Sequence, residues 1–215
     1  MTFRALRERL SGAQARPRCG QVRLHPRFAR RAWVLAAIAL TFTSLAGAAS
    51  VQVPFRVQAD LIAKVASFDR NFSARAGARA LVIIVQMPND AESAAAALEL
   101  KNALSNVATV GDRPHEEQIV SYSSAAALAE LARTRKPAII YFGPGFAKEL
   151  TGIRNSLSNL SLLSVGMSPD YVEGGMVLGF DLVSGRPKLL INLSQARKQQ
   201  VDFPASVLRL MKIYS

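Results

Sequence analysis

At 215 residues, 50% of them hydrophobic, the chain is too apolar to be disordered, while a formal net charge of +12 raises nucleic acid as a partner. The distribution of that charge removes nucleic acid. Nine Arg and one Glu lie in residues 1–31, which leaves 18 of the 27 basic and 14 of the 15 acidic residues downstream, a net +4 scattered without basic runs interleaved with aromatics.

The basic stretch closes with Arg27-Phe28-Ala29-Arg30-Arg31 and runs into an apolar segment from Ala32 to about Leu45, followed by the small residues Ala46-Gly47-Ala48-Ala49. That order predicts an export leader over residues 1–49, cleaved after Ala48 or Ala49. The apolar run is shorter than the ~20 residues of a membrane-spanning helix. The basic region is long for such a leader, which leaves open a start at Val22 or Leu24. The Arg30-Arg31 pair leaves open the twin-arginine route, with the ordinary secretory route favoured. The only Cys, Cys19, lies in this segment and before its apolar run. The exported part therefore has no thiol, forms no disulfide and carries no lipid on Cys19, so its stability must come from burial of a core.

Residues 50–215 predict one domain of alternating helices and strands. A first helix is expected from Pro54 to Phe72 with Val57, Leu61, Val65 and Phe68 on its buried stripe, and Pro54 in its first turn. Leu81-Val82-Ile83-Ile84-Val85, apolar on both faces, predicts a central parallel strand over 80–86. Asn89 or Asp90 caps an Ala-rich helix with Ala97, Leu100, Leu104 and Val107 spaced for burial, and a polar loop over 111–114 ends it. A short strand is expected at Gln118–Tyr122, a helix opened by Ser123 or Ser124 to about Arg135, and an apolar strand at Ala138–Phe142. Gly143-Pro144-Gly145 turns the chain into a helix carrying Phe146, Leu150, Ile153 and Leu157, and Leu160–Val165 is the next buried strand. Two strand-like runs, 176–183 and 188–193, flank Ser184-Gly185-Arg186-Pro187 and predict a hairpin. A short helix near 194–200 and a last helix from Pro204, with Val207, Leu210, Met211 and Tyr214 facing the core, complete the chain. The fold class is α/β: a three-layer sandwich whose mostly parallel sheet gains an antiparallel hairpin at one edge.

Titratable groups that could converge on a reaction are few. His115 is the only histidine outside the leader, in the polar run Arg113-Pro114-His115-Glu116-Glu117, and is expected to be a solvated loop residue. No G-x-S-x-G elbow and no second Cys or His supports a catalytic triad or a metal site, and Gly143-Pro144-Gly145 lacks both phosphate-loop patterns. The residues imply no cofactor and no metal, and an enzyme is disfavoured. One alternative rests on the fold: if the sheet is doubly wound, a crevice forms at the carboxyl ends of its strands, where Asn89, Gly143, Gly145 and Ser168 would meet a small ligand. Asn89 and Asp90 read as helix caps ahead of ligand contacts.

Gly174-Gly175-Met176-Val177, Gly185-Arg186-Pro187, Ile191-Asn192-Leu193-Ser194-Gln195-Ala196-Arg197 and the tail from Val201-Asp202-Phe203 to Leu208-Arg209-Leu210 together resemble the YfiR/HmsC family. The resemblance covers most of the exported part and is concentrated in residues 174–210. It implies a small periplasmic regulator that binds the periplasmic sensor portion of an inner-membrane protein, a diguanylate cyclase in the typical case, and holds it inactive, so that biofilm matrix depends on release. Cysteine-based redox control, known among members, has no residues to act through in the exported part. The cluster combining signature residues with positive charge is Arg186, Asn192, Arg197 and Lys198, the expected partner face. Gly185 reads equally as a turn residue, Asn192 as a helix cap with Gln195 three residues on, and Arg186 as a solvated turn charge. The partner would hold the protein at the membrane periphery, and a homodimer stays open.

Overall fold

A computed structural model describes residues 52–215, and the expected leader lies outside the described residues. The helices are α1 (Phe55–Ala66), α2 (Phe72–Ala76), α3 (Ala91–Ser105), α4 (Ala125–Arg135), α5 (Leu150–Leu157), α6 (Pro169–Glu173), α7 (Leu193–Lys198) and α8 (Ala205–Leu208). The strands are β1 (Ala80–Gln86), β2 (His115–Ser121), β3 (Ile139–Phe142), β4 (Leu163–Gly166), β5 (Leu178–Val183), β6 (Arg186–Asn192) and β7 (Lys212–Tyr214). They form one seven-stranded sheet in the order β2-β1-β3-β4-β5-β6-β7. Every neighbouring pair is parallel except β5 and β6, the antiparallel hairpin. The chain is thus α/β with its sheet mostly parallel.

The order reverses between β1 and β3, since the crossover through α3 leads to one side of β1 and that through α4 to the other. Right-handed crossovers then put α3 and α4 on opposite faces. α1 packs on α3, and α4 packs on α5. Strands β1, β3 and β4 are buried along nearly their whole length, as a sheet covered on both faces demands.

Several expected boundaries shift. The first helix breaks after Ala66, and the chain turns before α2. Its buried face is Gln58, Ala59, Ile62, Ala63, Val65 and Ala66; Val57 and Leu61 are half-buried and Phe68 is 41% exposed. The expected stripe was rotated because a polar residue faces the core. Gln58 is fully buried with both ends of its amide satisfied, Nε2 donating to the Val53 carbonyl at 2.7 Å and Oε1 accepting from the Tyr141 hydroxyl at 2.7 Å. A hydrophobicity pattern cannot register a glutamine that satisfies itself inside. The last segment also differs: α8 is a single turn, Leu210 is 69% exposed, and residues 212–214 add a parallel edge strand to β6. β7 reaches only Leu190–Asn192, so Pro187, which has no N–H to give, lies where that side of β6 is unpaired. Helix α6 was not anticipated.

Candidate functional site

The carboxyl ends of β1 and β3, at the reversal of strand order, are where an open α/β sheet ordinarily receives a ligand. Here the loops leaving those strands satisfy themselves. Asp90 caps α3 by accepting from the Ser93 N–H at 3.0 Å, and the Ser93 hydroxyl accepts from the Met87 N–H at 2.8 Å. Beyond β3, the Tyr171 hydroxyl donates to the Gly143 carbonyl at 2.6 Å and accepts from the Phe146 N–H at 3.3 Å. Burial raises the pKa of this phenol, which keeps it a donor. Gly145, at φ 97°, is where the two loops touch: a Cβ there would sit 3.0 Å from Asp90 Oδ2. Gly166 has an equally specific role, because its Cβ would fall 2.2 Å from that of Tyr171. Without a side chain at 166, the tyrosine can cross the end of β4 and act as a stopper over the Gly143 carbonyl.

Beside this stopper lies a crevice of about 450 Å³ lined by Gly145, Ser168, Asp170, Tyr171 and Asp181 among others. Of the four residues expected there, Gly145 and Ser168 line it. Gly143 is covered by Tyr171, and Asn89 is an exposed turn residue at φ 57° outside the crevice, a conformation asparagine tolerates. The charged groups lining it are carboxylates.

His115 is not a solvated loop residue. It opens β2, its side chain is only 7% exposed, and its ring nitrogens face two acceptors: Nδ1 the Glu117 carboxylate, Nε2 the Val107 carbonyl at 2.9 Å. That is a structural clamp between β2 and the end of α3. Among the described residues no three His, Cys, Asp or Glu side chains converge as metal ligands.

The expected partner face separates into two places. Arg186, exposed at the hairpin tip, starts β6, and Asn192 ends it; at about 3.3 Å per residue the strand holds them roughly 20 Å apart, at opposite ends of the sheet. Asn192 is 9% exposed and occupied internally, its Oδ1 accepting from the Gln195 N–H at 2.9 Å as the cap of α7 and its Nδ2 donating to the Val172 carbonyl at 3.1 Å. Its polar atoms are taken up inside the fold. Arg197 and Lys198 are exposed on α7. Because α7 packs against β7, they share an edge of the domain with Arg209, Leu210, Lys212 and Ile213. Leu210 is 69% and Ile213 50% exposed, so this edge is a ledge that carries bare aliphatic side chains as well as cations, with Lys212 and Ile213 leaving the strand on opposite faces. The sequence reading missed its apolar half by extending a helix through 204–214. The Lys-Ile-Tyr run after Met211, too short to show alternation, was the signal for a strand.

No helix among the described residues is long and apolar enough to cross a membrane. Among solved structures, the chain is similar to a conserved domain protein from Vibrio cholerae O1 biovar El Tor, at 18% identity and TM-score 0.52, over 77% of this chain and 61% of that one. It is also similar to an ABC domain in complex with L-Trp from Streptococcus pneumoniae, at 15% identity and TM-score 0.54, over 75% and 60%. The chain thus spans about three fifths of either structure, and at such identities the likeness is one of α/β fold. No curated protein matches the chain. The YfiR/HmsC-like family model matches residues 55–212, nearly all of the described domain. That family is regulatory rather than catalytic and periplasmic in setting, and this chain belongs to it.

Proposed function

We propose that the protein is a periplasmic repressor that holds a membrane-bound diguanylate cyclase inactive by direct contact through the α7–β7 ledge. The observation that carries this reading is the ledge itself, an edge that exposes Leu210 and Ile213 together with Arg197, Lys198, Arg209 and Lys212. Exposed aliphatic side chains accompanied by charged ones are the composition of a protein-binding surface, and Arg is among the residues that most often anchor one. The family supports regulation by binding, and the self-satisfied strand ends support a rigid scaffold over a ligand-gated one at the usual crevice. Arg186, at the far end of β6, is assigned no contact in this interface and serves as its control.

Deleting the gene tests the reading at the level of the cell. Cyclic-di-GMP and matrix should rise, and the exported domain should capture an inner-membrane sensor from its own cells. Unchanged cyclic-di-GMP together with no captured sensor would refute repression. Capture of a sensor without a cyclase domain would keep the regulator and replace its target. A receptor for a small molecule at the carboxyl-end crevice remains the rival reading, and saturable ligand binding abolished by Ser168→Trp would favour it.

A further inference from the structure

The opposite, amino-terminal end of the sheet holds a second cleft of about 430 Å³, which neither the family nor the strand-order rule calls for. Its walls are α2, the last turn of α4, the residues leading into β4, and Gln200 just beyond α7. One wall is locked. Asp69, with its side chain fully buried, accepts from Arg75 Nη1 at 2.7 Å and from the N–H groups of Asn71 and Asp202 at 3.1 and 3.0 Å. Arg75 Nη2 donates to the Gln200 carbonyl at 3.0 Å, so this guanidinium is spent on structure and neutralised by Asp69. The cleft's available charge therefore comes from α4. Lys136, held at φ 49° in the helix C-cap, has no ion pair among the described residues. Arg133 pairs only with Glu130 at 3.3 Å, both side chains more than half exposed, an arrangement easily exchanged for a better acceptor.

No carboxylate lines this cleft among the described residues, whereas Ala74, Ala132, Leu160 and Leu162 give it an aliphatic floor. We infer that it is a binding site for a small organic anion, a carboxylate on a compact apolar body, with the anionic group on Arg133 and Lys136 and the body against Leu160 and Leu162. The volume suits such a molecule, and a fixed wall at Arg75 spares the ordering cost of a mobile one. Helix C-termini also attract basic residues for their dipole alone. That explains Arg133 and Lys136 individually but not the rigid, acid-free cavity they share.

Benzoate, a carboxylate on an apolar ring, is the probe, with inorganic phosphate as the anion lacking an apolar body; both are titrated into the purified protein by calorimetry. Benzoate should bind saturably and at least about tenfold more tightly than phosphate. Arg133→Glu with Lys136→Glu should weaken benzoate by at least about tenfold, as two reversed surface charges would. Ala74→Trp, an exposed position on α2, should do the same by filling the cleft without changing charge, and Arg186→Glu at the other end of the sheet should change nothing. Absence of saturable benzoate binding, phosphate binding as tightly as benzoate, or indifference to both cleft variants would each overturn the site.

Discussion

The two ends of the sheet have been used in opposite ways. At the carboxyl end, where the strand order invites a ligand, Tyr171, Ser93 and Asp90 take up the backbone groups that a ligand would otherwise hold, and the remaining crevice is acidic. At the amino end a buried ion pair freezes one wall of a cleft whose other wall carries Lys136 and Arg133, the latter only loosely paired with Glu130. The difference teaches that topology locates a crevice, while the side chains lining it decide which charge and which hydrogen-bonding groups it offers.

The strongest test of this contrast is the frozen wall. Asp69→Ala leaves the Arg75 charge buried and two backbone N–H groups without their acceptor, and should cost about 3–5 kcal/mol in urea unfolding. A loss below about 1 kcal/mol would mean the wall is not held by this pair. At the other end, Tyr171→Phe strips the hydroxyl from the Gly143 carbonyl and Phe146 N–H and should cost about 1–3 kcal/mol, with faster amide exchange at Phe146. Unchanged exchange would show that the stopper is not the hydroxyl.

A smaller effect is expected at Tyr122, also beside the carboxyl ends. Burial, then the hydrogen bond its hydroxyl donates to Glu149 at 2.8 Å, pushes its pKa up to about 12. The folded state thus favours the neutral phenol, so this contribution is intact below the ordinary tyrosine value near 10 and is lost as pH rises toward about 12. Tyr122→Phe should flatten the alkaline fall in stability over that window; an identical fall in both proteins would contradict the assignment.

The parallel half of the fold was legible because buried strands such as 81–85 and 139–142 write their environment as unbroken apolar runs, and because Asp90, Ser124 and Asn192 cap where their side chains can reach back to the helix. The failures share a cause. Gln58 inside α1 and Tyr171 across Gly143 are satisfied by residues distant in the chain, and His115 by the Val107 carbonyl as well as by Glu117 two residues on, pairings that a hydrophobicity pattern does not record. The expected partner residues do not form one cluster for a geometric reason: Arg186 and Arg197 are close in sequence, yet a full strand lies between them. Leu210 read as core because an exposed aliphatic looks like a buried one until the edge strand after it is placed.

The central claim is that repression works through the α7–β7 ledge. Arg197→Glu with Lys198→Glu changes exposed helix positions and should shift stability by less than about 0.5 kcal/mol. The direct measurement is capture of the inner-membrane sensor by wild-type protein, by this double variant and by Arg186→Glu, each confirmed folded. The account predicts capture by wild type and by Arg186→Glu and its loss in the ledge variant, with cyclic-di-GMP rising in cells that carry only that variant. Full capture by the ledge variant with loss in Arg186→Glu would contradict it and move the interface to the hairpin tip.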